Sequence, residues 1–186
     1  MPHPFDLSDS NFSRLQSRAV PLVDDLNSVI AKLLDLVEGD EPATEADIRA
    51  SPSKIVKKFD PATPPDLTHT KVISVTFDGK QLDKPTWNGL KDAAIRYIVK
   101  TEKDKDKLKS LILCPFVFGK KEDEGYRYMA DLGISVQSQD SMGAFKVAYH
   151  IASNHGCGMK IQFMWRQKEA ALHPGMTGIM EIVARL

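Results

Sequence analysis

The chain has two cysteines in 186 residues, Cys114 and Cys157, and neither belongs to a CxxC pair. A disulfide framework or a zinc knuckle needs more thiols at closer spacing, so neither organises this fold. No run of 18 or more apolar residues occurs, and nothing in the sequence is expected to cross a membrane. The opening MPHPFDLSDS has neither the basic nor the apolar region of a secretory signal, which points to a cytoplasmic location. Phosphate-cradling loops are missing as well. GCGMK at 156–160 holds a Gly-x-Gly without the third glycine or the helix that a dinucleotide site requires. His150 and His155 are five residues apart and fall on different sides of a helix, so no metal site and no cofactor are expected.

There is no excess of charge of either sign, but the charge is unevenly placed. Residues 1–70 carry 12 acidic and 7 basic side chains, and residues 71–186 carry 13 and 18. The two parts differ enough to suggest segments with different partners.

The patterning divides the chain into four segments. Residues 1–12 read as a flexible tail and 13–60 as a helical segment. Residues 61–70 read as a proline-rich linker, and 71–186 as an α+β domain. In the helical segment Leu15, Ala19, Leu22, Leu26, Val29, Leu33 and Leu36 are spaced alternately by four and three, a heptad seam. It can pack on its own domain or pair with a second copy, and homo-oligomerisation through residues 15–37 is the expectation carried forward. Pro21 either kinks this helix or lies in its first turn. Ser53 is a candidate cap for a short helix ending near Phe59, and the prolines of DPATPPD stiffen the linker beyond it.

Beyond residue 70 the pattern alternates. KVISVTF places Val72 and Ser74 on one face and Ile73, Val75 and Phe77 on the other, and Asp78-Gly79 then signals a hairpin. PTWNGLKDAAIRYIVK is an amphipathic helix with Trp87, Leu90, Ala94, Tyr97 and Ile98 inward, and Lys91, Asp92, Arg96 and Lys100 mostly outward. LILCPFVFG, YRYM, GISVQ, MKIQFMWR and IMEIVAR read as strands, and a second helix runs from the polar bridge at 137–141 to Gly156. The expected fold is α+β, a mainly antiparallel or mixed sheet with two helices on one face, preceded by the amphipathic segment.

The chemistry-bearing candidates cluster around these strands. Lys120, Lys121, Arg127, Arg166 and Lys168 flank strands that also carry Tyr126, Tyr128 and Trp165. A sheet face that combines cations with aromatics holds phosphates and stacks bases, and the bland alternative has the aromatics in the core and the cations in water. Between strand and helix, Gln137-Ser138-Gln139-Asp140-Ser141 exceeds what capping requires, since Asp140 or Ser141 alone can accept the free N–H groups of the first turn. Gln137 and Gln139 are therefore candidate ligand contacts.

PTWNGL, DEGYRYMADLGISVQSQD and FMWRQKEAALHPG together resemble a family of largely uncharacterised bacterial proteins and C-terminal domains, over about residues 64–178. The resemblance singles out Trp87, Asn88, Glu124, Tyr126, Arg127, Gln137, Gln139, Asp140, Trp165, Arg166, Lys168 and Glu169, and implies no established activity. Two uses of these positions stay open. One is a binding site at the strand ends. The other is an internal network, for example Arg166 paired with Glu124 or Asp140.

The functional expectation is a non-enzymatic binding module for DNA, RNA or a protein partner, in a bacterial cytoplasmic regulatory or mobile-element defence system. The alternative is an enzyme acting on phosphodiesters or nucleotides with its site at the same strand ends.

Overall fold

A computed structural model describes residues 8–17, 29–30, 33–34 and 56–185. Most of the heptad seam lies outside the described residues. Within the seam, positions 29–30 and 33–34 are helical, with Val29 buried and Leu34 exposed. Helix α1 spans Asp9–Gln16, so helix begins inside the expected tail. Ser8 caps it by accepting from the Asn11 N–H.

The remaining elements are β1 (Val56–Phe59), β2 (Thr70–Phe77), β3 (Lys80–Gln81), α2 (Trp87–Thr101), α3 (Lys105–Leu111), β4 (Phe116–Phe118), β5 (Tyr126–Met129), β6 (Ile134–Gln137), α4 (Ser141–His155), β7 (Met159–Trp165) and β8 (Thr177–Ile182). They form a five-stranded mixed sheet in the order β1-β8-β7-β2-β3 and a three-stranded antiparallel sheet in the order β4-β6-β5. The class is α+β, with α2 and α4 packed against each other.

Local chemistry accounts for most boundaries. Asp78 and Gly79 both take positive φ and close the two-residue β2–β3 hairpin. Thr86 caps α2 through the Gly89 N–H, and Asp140 caps α4 through the Gly143 N–H. Gly156 ends α4 in the left-handed region at φ 68°.

Three expectations are corrected. Val56–Phe59 is a strand, not a helix end, because it pairs in parallel with β8, whose Thr177 lies opposite Val56. Leu111 belongs to α3, so only Phe116–Phe118 of LILCPFVFG pairs as a strand. In β2 the register shifts between Val72 and Ser74, where Ile73 is an extra residue. That bulge puts Val72 and Val75 on the same buried side and breaks the simple alternation.

The proline-rich stretch leads from β1 into a tightly bonded corner. Leu67 is fully buried, and its carbonyl accepts from the Thr70 N–H, from Thr70 Oγ1 at 2.5 Å and from Ser141 Oγ at 2.9 Å. The indole N–H of Trp87 donates to Thr70 Oγ1, and that of Trp165 to the Asp66 carbonyl, each at 3.0 Å. Both indoles are thereby buried with their donors satisfied. Since β1 precedes this corner and joins the same sheet, the sheet extends across residues 61–70.

Candidate functional site

The polar bridge between β6 and α4 is engaged almost throughout by the fold. Asn88, in the first turn of α2, clasps the backbone of Gln139. Its amide N–H donates to the Gln139 carbonyl and its Oδ1 accepts from the Gln139 N–H, both at 3.0 Å. Lys91 Nζ donates to the Gln137 carbonyl at 2.7 Å. The Gln137 amide reaches the Glu124 carbonyl at 3.1 Å, and that of Gln139 turns back onto the Ser138 carbonyl at 3.0 Å. Asp140 is the cap, while Ser141 Oγ goes to Leu67 rather than to the helix. The side chains of both glutamines thus already hold backbone carbonyls.

Arg127 forms an ion pair with Asp92 on α2. Neither Asp92, 6% exposed, nor its neighbour Lys91, 1% exposed, is on the outward helix face that the hydropathy pattern assigned to them. The reason is that α2 is buried on two stripes. Trp87, Leu90, Ala94 and Ile98 form one, and Asn88, Lys91, Asp92 and Ile95 form the second. The second stripe faces the bridge and β5 through its bonds to Gln137, Gln139 and Arg127, and it is polar where it meets them. Asn88 appears among the positions singled out by the resemblance; Lys91 and Asp92 were missed. Their only signal was that they share a stripe with the apolar Ile95. Beside this seam, burial pushes the Cys114 thiol up to about 11, with the Lys91 charge opposing and the Asp92 charge adding to the shift.

Trp165 cannot serve as a base-stacking platform. It is fully buried, with its ring centroid 5.0 Å from that of Phe163 and 4.9 Å from that of His173. Period-two alternation in MKIQFMW already put it with Met159, Ile161 and Phe163. Arg166 and Lys168 lie on the turn after β7, where the Arg166 N–H donates to the His69 carbonyl and the Lys168 N–H to that of Arg166. They belong to the five-stranded sheet and its turn, whereas Arg127 belongs to the other sheet.

The remaining candidates do come together. In the three-stranded sheet Tyr126 lies opposite Gln137, and Tyr128 opposite Ser135 and, across β6, Val117. Strand alternation puts Arg127 on the other face. The segment after β4 folds over the tyrosine face: Ser135 Oγ accepts from the Lys121 N–H at 2.7 Å and donates to the Gly119 carbonyl at 2.8 Å. This sets Lys121 Nζ 4.4 Å from the centre of the Tyr126 ring, a cation–π distance. Lys120 lies close enough to Tyr128 for the phenol to influence its titration. Hydrogen bonds to Glu122 and Glu124 raise the affinity of Lys120 and Lys121 for their protons, at 2.8 and 2.7 Å respectively. Both pairs are solvent-exposed, and exposed pairs of this kind contribute little to stability.

Among the described residues, no three His, Cys, Asp or Glu side chains converge to hold a metal ion. No helix there is long and apolar enough to cross a membrane. Comparison with known proteins finds no matching family model, no matching curated protein and no matching solved structure.

Proposed function

We propose that this chain is a non-enzymatic binding module that takes single-stranded nucleic acid across the outer face of the three-stranded sheet. One observation carries the reading. Tyr126 and Tyr128, two residues apart on one strand face, have Lys121 beside them, its Nζ 4.4 Å from the centre of the Tyr126 ring, and Lys120 next to it in the chain. Half-buried rings present π-faces to which any base can stack, and the ammonium groups meet the backbone phosphates between bases. Glu122 and Glu124 hold those ammonium groups in the free protein. A phosphate can displace an exposed carboxylate at small cost, so the surface pairs position the lysines without blocking them. The inferred setting, a bacterial cytoplasmic regulatory or mobile-element defence system, is supported only by the sequence resemblance over residues 64–178.

Fluorescence anisotropy with a labelled oligothymidine, titrated with the full chain at several salt concentrations, tests the reading. Affinity is expected to fall steeply with salt, with a log–log slope of about −0.7 per phosphate contact. The double variant Tyr126→Ala/Tyr128→Ala is expected to lose at least about tenfold, since each stacked base contributes roughly 1–3 kcal/mol. Absence of binding at 50 mM salt, or full affinity in the double variant, overturns it. Release of shortened strands in magnesium or manganese would replace it with the alternative, an enzyme acting on phosphodiesters.

A further inference from the structure

On the other side of β5, two depressions open along α2 and share Leu82, Ala93 and Arg96 in their walls. The smaller, about 250 Å³, has an apolar floor of Phe77, Leu82, Ala93 and Tyr97, with Lys80 and Lys100 at its rim. The larger, about 530 Å³, runs from Arg96 past Lys84 to Asp92 and Arg127. Joined, they make a trench within the size range of small-ligand sites, roughly 300–1,000 Å³. One end has an apolar floor, and cations line both ends.

The charge of this trench does not mirror the neutral chain. Its walls carry Lys80, Lys84, Arg96, Lys100 and Arg127 against three aspartates, Asp78, Asp83 and Asp92. The two arginines are also held in place. Arg96 Nε donates to Asp131 Oδ2 at 3.0 Å, and Arg127 pairs with the buried Asp92. Each guanidinium has five N–H donors in a planar fork, and these side chains remain 44% and 52% exposed. Arg127, held by a buried carboxylate, loses little further freedom on binding an anion, and the fork of either arginine matches two oxygens of a phosphate.

We propose that the trench binds a small phosphate ester with a planar or apolar body, of the size and chemistry of a nucleoside monophosphate. The phosphate lies between Arg96 and Arg127, and the body lies over Leu82, Ala93 and the Tyr97 ring. Arg127 points to the opposite face of β5 from Tyr126 and Tyr128, so this site is separate from the tyrosine face. Neither reading depends on the other.

Isothermal titration of the full chain at low salt with adenosine monophosphate, inorganic phosphate and adenosine tests the proposal. Adenosine monophosphate is expected to bind saturably and more tightly than phosphate alone. Arg96→Gln, at a half-exposed position, is expected to cost at least about tenfold in that affinity with an unchanged thermal midpoint. Ala93→Trp fills the apolar end and is expected to abolish the advantage of the nucleotide over phosphate while phosphate still binds. No saturable heat with either probe at millimolar concentration overturns the proposal, as does full affinity in Arg96→Gln. Competition with 5′-phosphorylated and 5′-hydroxyl oligothymidine identifies the source of the phosphate. Displacement of the nucleotide by the phosphorylated strand alone assigns the site to a strand end, and displacement by neither assigns it to free nucleotide. Equal displacement by both strands would mean that no terminal phosphate is recognised, and the proposal fails.

Discussion

Helix α2 meets its surroundings in two different ways. Toward the five-stranded sheet it presents Trp87, Leu90, Ala94 and Ile98, and the contact is apolar and aromatic, with the Trp87 ring 5.6 Å from that of Phe163. Toward the three-stranded sheet and the bridge it presents Asn88, Lys91 and Asp92, which bond to the backbone of Gln139, the backbone of Gln137 and the Arg127 side chain. An apolar contact tolerates small shifts as long as volume is conserved. Hydrogen bonds to particular carbonyls tolerate none, and a slip leaves buried polar groups unsatisfied. The first interface therefore supplies cohesion, and the second sets where the small sheet sits. Arg127 belongs to that second interface and also lines the trench, so the seam that places the sheet places one wall of the proposed phosphate site as well.

The hardest test of this contrast removes the buried carboxylate. Asp92→Ala leaves Lys91 buried without the carboxylate beside it and releases Arg127, and it is expected to cost about 3–5 kcal/mol in chemical denaturation. A loss under about 1 kcal/mol would make the seam dispensable. A second test asks whether the seam is dry. Cys114 has its thiol raised from an ordinary value near 9 to about 11 by burial. Below pH 9 the thiol is neutral in both folded and unfolded chains. Between roughly 9 and 11 the unfolded chain loses a proton that the folded chain keeps, so stability falls across that window by at most about 3 kcal/mol and is constant in this respect above it. Urea midpoints at pH 8 and pH 10.5 should converge markedly in Cys114→Ala; an identical alkaline loss in that variant would mean the thiol titrates as if in water. The mildest test is Asn88→Ala, which removes the clasp on Gln139 at an expected cost of about 2 kcal/mol. Backbone amide exchange at Gln139 should quicken with it, and unchanged exchange there would show that the clasp does not hold the bridge.

What was legible in the sequence depended on range. Elements set by local chemistry were readable: the Asp78-Gly79 hairpin, the cap at Asp140 or Ser141, which Asp140 fills, the Gly156 stop, and the strands YRYM and GISVQ, observed as Tyr126–Met129 and Ile134–Gln137. Elements set by a distant partner were not. VKKF has no strand signature apart from its pairing with β8, and the Ile73 bulge arises from its register against β7. The same division runs through the candidate site. Tyr126, Lys120 and Lys121 are close in sequence and meet in space. Arg166 and Lys168 lie on the turn after β7, beside the other sheet, and the glutamines are drawn into bonds with carbonyls that no spacing rule reveals. Lys91 and Asp92 resemble solvent-facing charges until β5 and the bridge are placed over them.

The parallel pairing of β1 with β8 bears on how the chain emerges during synthesis. Val56 is made long before its partner Thr177. Until then β1 has no strand beside it to hold Phe59 against Phe163, Trp165 and His173. Closing so long a loop is entropically costly and raises contact order, which slows folding. The facing edges of β1 and β7 must therefore wait for β8, and a nascent chain stalled before residue 177 would present them to chaperones or to its neighbours.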